Sequence, residues 1–231
     1  MRSFTGLAAA AALLLVPAGA ALAAAPEPVT VSAPPASDAV VAVAAWAIRS
    51  KDPAGKPFAI VDKGAARVYV FGPDGKLKGE APALVGSAPG DVSTPYTGDR
   101  ELSSIPPHER TTPAGRFLAG WGKSTKGEKT LWVDYRTAVS IHPLASVTEG
   151  ERREERLASF TPDDNRITFG CINVDRAFFD TIIRPTFKKT GVFYVLPEAT
   201  PLMQAFPGFV APPGLRLAGT AAAPPPLLRR R

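Results

Sequence analysis

Short apolar runs rich in β-branched and aromatic residues recur along most of this chain, and turn formers separate them. Phe58-Ala-Ile-Val-Asp62 and Ala66-Arg-Val-Tyr-Val-Phe71 are rich in β-branched and aromatic residues, and Pro73-Asp74-Gly75 closes the second run. This pattern predicts a meander of strand, turn, strand, turn. Lys76 to Val85 continues as a third strand. Arg116 to Trp121, Thr130 to Tyr135, the short Ala138 to His142 and the final Gly191-Val-Phe-Tyr-Val-Leu196 follow in the same rhythm. The expected fold class is mainly β, a single sandwich or barrel-like domain with one or two short helices.

Helical periodicity occurs in two places. Ser37 or Asp38 is placed to cap a short helix running through Trp46 and Ile48. Between Asp175 and Phe187, a helical face collects Phe178, Phe179, Ile182 and Ile183, with Asp175 as N-cap and Pro185 near the end. Two stretches fit neither period: Gly86 to Thr112, rich in Gly, Pro and Ser, and Thr148 to Asn165. The second contains the charged run Glu149-Gly-Glu-Arg-Arg-Glu-Glu-Arg156, expected as a solvated face or a short helix laced by pairs three or four residues apart.

The ends read differently. Met1 to Ala24 has a basic Arg2, an apolar run from Leu7 to Val16 broken by Pro17 and Gly19, and the small-x-small triplet Ala21-Leu22-Ala23. That is the pattern of a cleaved secretory signal, and the run is well short of the roughly 20 apolar residues of a spanning helix. The chain therefore divides into a signal peptide (1–24), a linker with a short helix (25–50), a catalytic-sized domain (51–198) and a Pro/Ala/Arg-rich tail (199–231), with both ends expected to be disordered. Export implies a periplasmic or envelope location.

Composition narrows the chemistry. The net charge of +6 is dispersed, apart from Arg229-Arg230-Arg231, so no basic stripe of nucleic-acid type is present. Peripheral attraction to anionic envelope polymers is the expected consequence of that charge. With one cysteine and two histidines in 231 residues, neither an internal disulfide nor a recognisable metal-ligand spacing is available, and no glycine-rich cofactor loop occurs. No metal and no cofactor are expected.

A lone thiol in an exported chain becomes chemically useful when a base takes its proton. Cys171 follows Gly170, in Arg166-Ile-Thr-Phe-Gly-Cys-Ile-Asn-Val174, and a helix begins a few residues later. Of the two histidines, His108 sits in the proline-rich Ile105-Pro-Pro-His-Glu-Arg110. His142 closes an apolar strand, from which its ring can project at a sheet edge, and is the expected partner.

A strand-ending histidine followed by Thr168-x-Gly170-Cys171-Ile172-Asn173-Val174 resembles the signature of the YkuD-type L,D-transpeptidases, Ser/Thr-His-Gly-Cys-apolar-Arg/Asn. Ile60-Val-Asp62, Arg67-Val-Tyr-Val-Phe71 and Thr112-Pro-Ala-Gly-Arg-Phe117 also resemble that family's opening hairpin and its Thr-Pro-x-Gly-x-Phe element. The resemblance spans roughly Phe58 to Leu196. It implies a mainly β catalytic domain acting on peptidoglycan stem peptides: Cys171 attacks the carbonyl after the meso-diaminopimelate of a tetrapeptide, D-alanine leaves, and a thioester remains. It assigns His142 as general base, backbone N–H groups around Gly170 and Cys171 as the oxyanion hole, and the Pro143 carbonyl as the group orienting the imidazole. Asn173 and Thr168 fall at substrate-side or bracing positions.

Two departures from the family stand out. Phe169 replaces the histidine that usually precedes Gly-Cys, and the 28 residues from 143 to 170 exceed the usual spacing, the excess being the charged run. Alternative readings of the same chain are an L,D-carboxypeptidase of this fold, in which water accepts the acyl group, and a non-catalytic cell-wall-binding module.

Overall fold

The structure, a computed structural model, describes residues 35–213 apart from Pro95, Thr125, Lys126, Glu128 and residues 145–148. The expected signal peptide, residues 25–34 of the linker and residues 214–231 of the tail lie outside the described residues. Strands β1 (Phe58–Asp62), β2 (Arg67–Phe71) and β3 (Leu77–Pro82) form the expected meander. They are followed by β4 (Val85–Gly86), β5 (Gly115–Lys123), β6 (Lys129–Asp134), β7 (Val139–Pro143), β8 (Arg166–Thr168), β9 (Ile172–Val174) and β10 (Thr190–Val195).

Eight of these strands form one sheet in the order β3-β2-β1-β10-β5-β6-β7-β9, while β4 and β8 pair separately. The run expected as one third strand divides after Pro82, because Leu84 exchanges both backbone hydrogen bonds with Asn173 of β9, at 2.8 and 2.9 Å. That bridge nearly closes the sheet: the segment leaving one edge is stitched to the other, which satisfies backbone groups that an open edge would leave unpaired.

Alternation along the strands serves two cores. Ala59, Val61, Val68, Val70, Phe193 and Val195 face one cluster, where Phe179, Ile183 and Phe187 cover them. Phe58, Ile60, Tyr69, Phe71, Val192 and Tyr194 face the other. Every residue of β1 and β2 is therefore buried, on one face or the other. The helical run over the first core is α3 (Arg176–Phe178), a π-helical turn (Phe179–Ile183) and α4 (Arg184–Thr186), started by the Asp175 carboxylate, which accepts from the Ala177 and Phe178 N–H groups.

The second core is covered by α1 (Asp38–Ser50) and by chain expected to be tail. Ser37 caps α1 by accepting from the Val40 N–H, and Val40, Val43, Trp46 and Ala47 form its buried stripe. Phe206 and Phe209 pack against Trp46, whose indole N–H donates to the Gly208 carbonyl at 2.9 Å. Packing thus continues past residue 198, through α5 (Leu202–Ala205) to Phe209. Two well-placed aromatics bind this segment, although prolines break any strand or helix pattern around them.

Beneath the site, Lys63 is buried with Asp91 at 3.0 Å and Glu198 at 3.6 Å, and it donates to the Thr112 carbonyl at 3.0 Å. The Asp91 carboxylate also accepts the N–H groups of Glu198, Ala199 and Thr200. Burial alone would raise its pKa. These four donors outweigh that and hold the carboxyl far below its ordinary value.

Candidate active site

Parallel pairing of β7 with β9 sets Ile141 beside Ile172 and His142 beside Asn173. Val139 and Ile141 point into the first core, so the period of two turns Ser140 and His142 to the opposite face. Cys171 immediately precedes β9 and its thiol lies on that face, 3.5 Å from Ser140 Oγ and 3.6 Å from the Ala138 carbonyl. Ser140 was not singled out by the sequence, although counting back two residues from His142 reaches it.

The Cys171 loop has a backbone conformation that demands glycine. Gly170 has φ +125°, and a Cβ there would lie 2.9 Å from the Thr111 carbonyl oxygen. Its N–H donates to Thr168 Oγ1 at 3.1 Å, and the Thr168 hydroxyl donates to the Cys171 carbonyl at 2.6 Å. Thr112 Oγ1 donates to the Gly170 carbonyl at 2.8 Å while accepting the Gly86 N–H at 2.9 Å. Two threonines thus hold the loop from both sides. Thr168 is 2% exposed, which gives it the bracing position rather than the substrate-side one.

His142 Nδ1 lies 2.7 Å from the Pro143 carbonyl. A carbonyl only accepts, so Nδ1 carries the proton and Nε2 of the neutral ring is an acceptor. Asn173 Nδ2 is 3.0 Å from that Nε2, and Asn173 Oδ1 accepts from Arg153 at 2.6 Å. Asn173 is fully buried, and its carboxamide is committed to these two partners rather than displayed to a substrate.

The thiol and the imidazole shift each other. Burial opposes charge on Cys171, but the hydrogen bond and charge of His142, with help from Ser140, hold the thiol below its ordinary value. Burial likewise opposes the imidazolium; the hydrogen bond and charge of Cys171, with the Pro143 carbonyl, raise His142 overall, while the Arg153 charge pulls it down. Each shift favours the charged form of its own group.

The charged run folds as a 3-10 turn (Glu149–Glu151) and α2 (Arg153–Ala158). Of the anticipated side-chain ladder, Arg152 pairs with Glu155 three residues on, at the surface. Arg153 turns inward instead, its Nε 2.6 Å from the Glu151 carboxylate. Phe169, at the position where the resemblance expects histidine, lies under the guanidinium of Arg110, which is 4.1 Å from the ring centroid. His108 is largely exposed, beside Glu109. Arg166 and Arg184 pair with Glu198 and Asp180. Among the described residues, no group of three or more His, Cys, Asp or Glu side chains could hold a metal ion.

No family model matches the chain, and no curated protein sequence matches it. Solved structures do resemble it in fold. An L,D-transpeptidase from Enterococcus faecium, in mutant form, is 18% identical over 61% of this chain and 50% of its own, with a TM-score of 0.36. An L,D-transpeptidase in complex with imipenem is 16% identical over 61% and 58%, with a TM-score of 0.34. The helical cell shape determining protein Pgp2 from Campylobacter jejuni is 15% identical over 63% and 49%, with a TM-score of 0.39. The chain thus covers about half the length of these proteins.

Proposed function

We propose that this chain is an envelope L,D-transpeptidase that acts on peptidoglycan tetrapeptide stems through a Cys171 thioester. The observation that carries the reading is a half-buried thiol held below its ordinary pKa by His142, an imidazole whose Nδ1 proton is fixed on the Pro143 carbonyl at 2.7 Å. With that proton placed, Nε2 is the basic nitrogen; Asn173 Nδ2 lies 3.0 Å from it, and once that contact gives way the thiol is the acid it deprotonates.

The sulfur attacks the carbonyl that links meso-diaminopimelate to the terminal D-alanine. The thiol proton passes to His142, the tetrahedral oxyanion collapses, the C–N bond breaks, and D-alanine leaves as an amine carrying that proton. A side-chain amine from a second stem then attacks the thioester, giving its proton to His142 and restoring the thiol. The oxyanion needs donors, and the Gly170 N–H already serves Thr168. The Cys171 N–H, next along the same loop, is therefore the donor in this reading, with Gly170 supplying the turn.

The test is product analysis after incubating the mature chain with a disaccharide-tetrapeptide, beside Cys171→Ala. D-alanine release and a cross-linked dimer that both require Cys171 are the expected result. Tripeptide without dimer would make water the acceptor and the chain an L,D-carboxypeptidase. No product from either protein would favour the wall-binding module.

A further inference from the structure

The charged excursion contributes a residue to the site. Arg153 has a side chain only 10% exposed, although it belongs to a run with seven charges in eight residues. Leu157 anchors α2 by burial. Arg156 fastens the excursion to itself, donating to the carbonyls of Glu151 and Asp164, both at 2.9 Å. Glu151 then holds Arg153 Nε, while Arg153 Nη1 donates to Asn173 Oδ1.

The proton positions along this line are determined. A guanidinium can only donate, so the Asn173 atom facing Arg153 is the oxygen, and the carboxamide nitrogen must face His142. At the other end the Pro143 carbonyl requires a proton on Nδ1. Nε2 thus receives an N–H from Asn173, at 3.0 Å, in the resting site. An imidazolium would carry protons on both ring nitrogens and would oppose that amide N–H. The carboxamide could accommodate it only by turning over, which Arg153 resists by holding the oxygen.

We infer that Arg153 is a positioning residue which, by fixing the Asn173 carboxamide, keeps His142 in its neutral Nδ1–H form and so sets when the Cys171–His142 pair becomes an ion pair. The inference rests on the reading of these two residues as the reacting pair. The charged groups facing the imidazole are Cys171 at the start of β9 and Arg153 from α2, with Glu151 behind the guanidinium. Arginine at this place couples the base, through Asn173, to the charged segment that carries it.

The experiment is an NMR titration of the imidazoles in the full mature chain, where His108 and His142 are the two histidines, comparing wild type with Arg153→Met and checking each fold by its amide spectrum. Wild type should show neutral His142 as the Nδ1–H tautomer, and Arg153→Met should raise its midpoint by on the order of half a pH unit or more. In an Asn173→Ala background, or Asn173→Ser where alanine impairs folding, the same arginine change should shift the midpoint far less. An unchanged midpoint in folded Arg153→Met, an Nε2–H tautomer in wild type, or equal shifts with and without Asn173 would each overturn the inference. A wild-type Cys171 thiol titrating at about its unperturbed 8.5 would instead defeat the reacting pair itself, which keeps the two failures distinct.

Discussion

Thr112 Oγ1 donates to the carbonyl of Gly170 across 58 residues of sequence, at 2.8 Å, and so ties the Thr-Pro element before β5 to the loop carrying the thiol. The same hydroxyl accepts the Gly86 N–H, so Thr112→Val would strand a buried donor and a buried acceptor together. We expect a loss of about 1–3 kcal/mol in urea unfolding, together with slower alkylation of Cys171 in the folded fraction.

Gly170→Ala should be worse for the site than for the rest of the fold. Its φ of +125° and the 2.9 Å approach of the Thr111 oxygen require the loop to shift before a methyl fits. The strain is of order 1–3 kcal/mol, and the displaced thiol should react at least tenfold more slowly at pH 7 while the near-ultraviolet circular dichroism stays close to wild type.

Acid stability reports on Asp91. Its carboxyl is held well below the ordinary range in the fold, so the folded state keeps it ionised where the unfolded chain takes up a proton. That contribution is complete above the unfolded pKa of about 4 and is lost as pH falls through the lower folded value. Asp91→Asn should flatten the fall of thermal midpoint below pH 4. Because it also removes the nearer of the two carboxylates that partner buried Lys63, leaving Glu198 at 3.6 Å, it should cost about 1–3 kcal/mol at pH 7.

Phe206→Ala tests whether the segment after residue 198 belongs to the folded unit. Phe206 is completely buried against Trp46 and Tyr194, so truncation should cost about 3–5 kcal/mol in chemical denaturation. A cost near zero would return this segment to the tail.

The strands were legible because each is a short run of β-branched and aromatic residues between turn formers; in β1 both faces are buried, Phe58 and Ile60 in one core and Ala59 and Val61 in the other, so the run is continuously apolar. The placement of His142 near the end of a strand, β7, was legible because the chain offers two histidines and just one of them closes an apolar run. The Leu84 bridge was not, since it is made of backbone groups and leaves no trace in side-chain chemistry. Arg153 was hidden for a different reason. Within Glu149 to Arg156 every residue but Gly150 is a plausible surface charge, and which of them turns inward depends on the register of a helix only six residues long. Phe206 and Phe209 were masked by the prolines around them.

His142 should control thiol reactivity. In His142→Ala the charge and hydrogen bond that hold the Cys171 pKa down are gone while burial remains. The rate of iodoacetamide alkylation at pH 7 should then fall by about tenfold or more, and its midpoint should move above the wild-type value.

The most direct measurement is intact mass of the mature protein, quenched in acid seconds after mixing with a disaccharide-tetrapeptide. The account expects an adduct equal to the donor less D-alanine, mapped to Cys171, released by a thioester-cleaving nucleophile and absent from Cys171→Ala. A wild-type protein that stays unmodified while the fragment is fully retained, or an adduct that persists without Cys171, would contradict it.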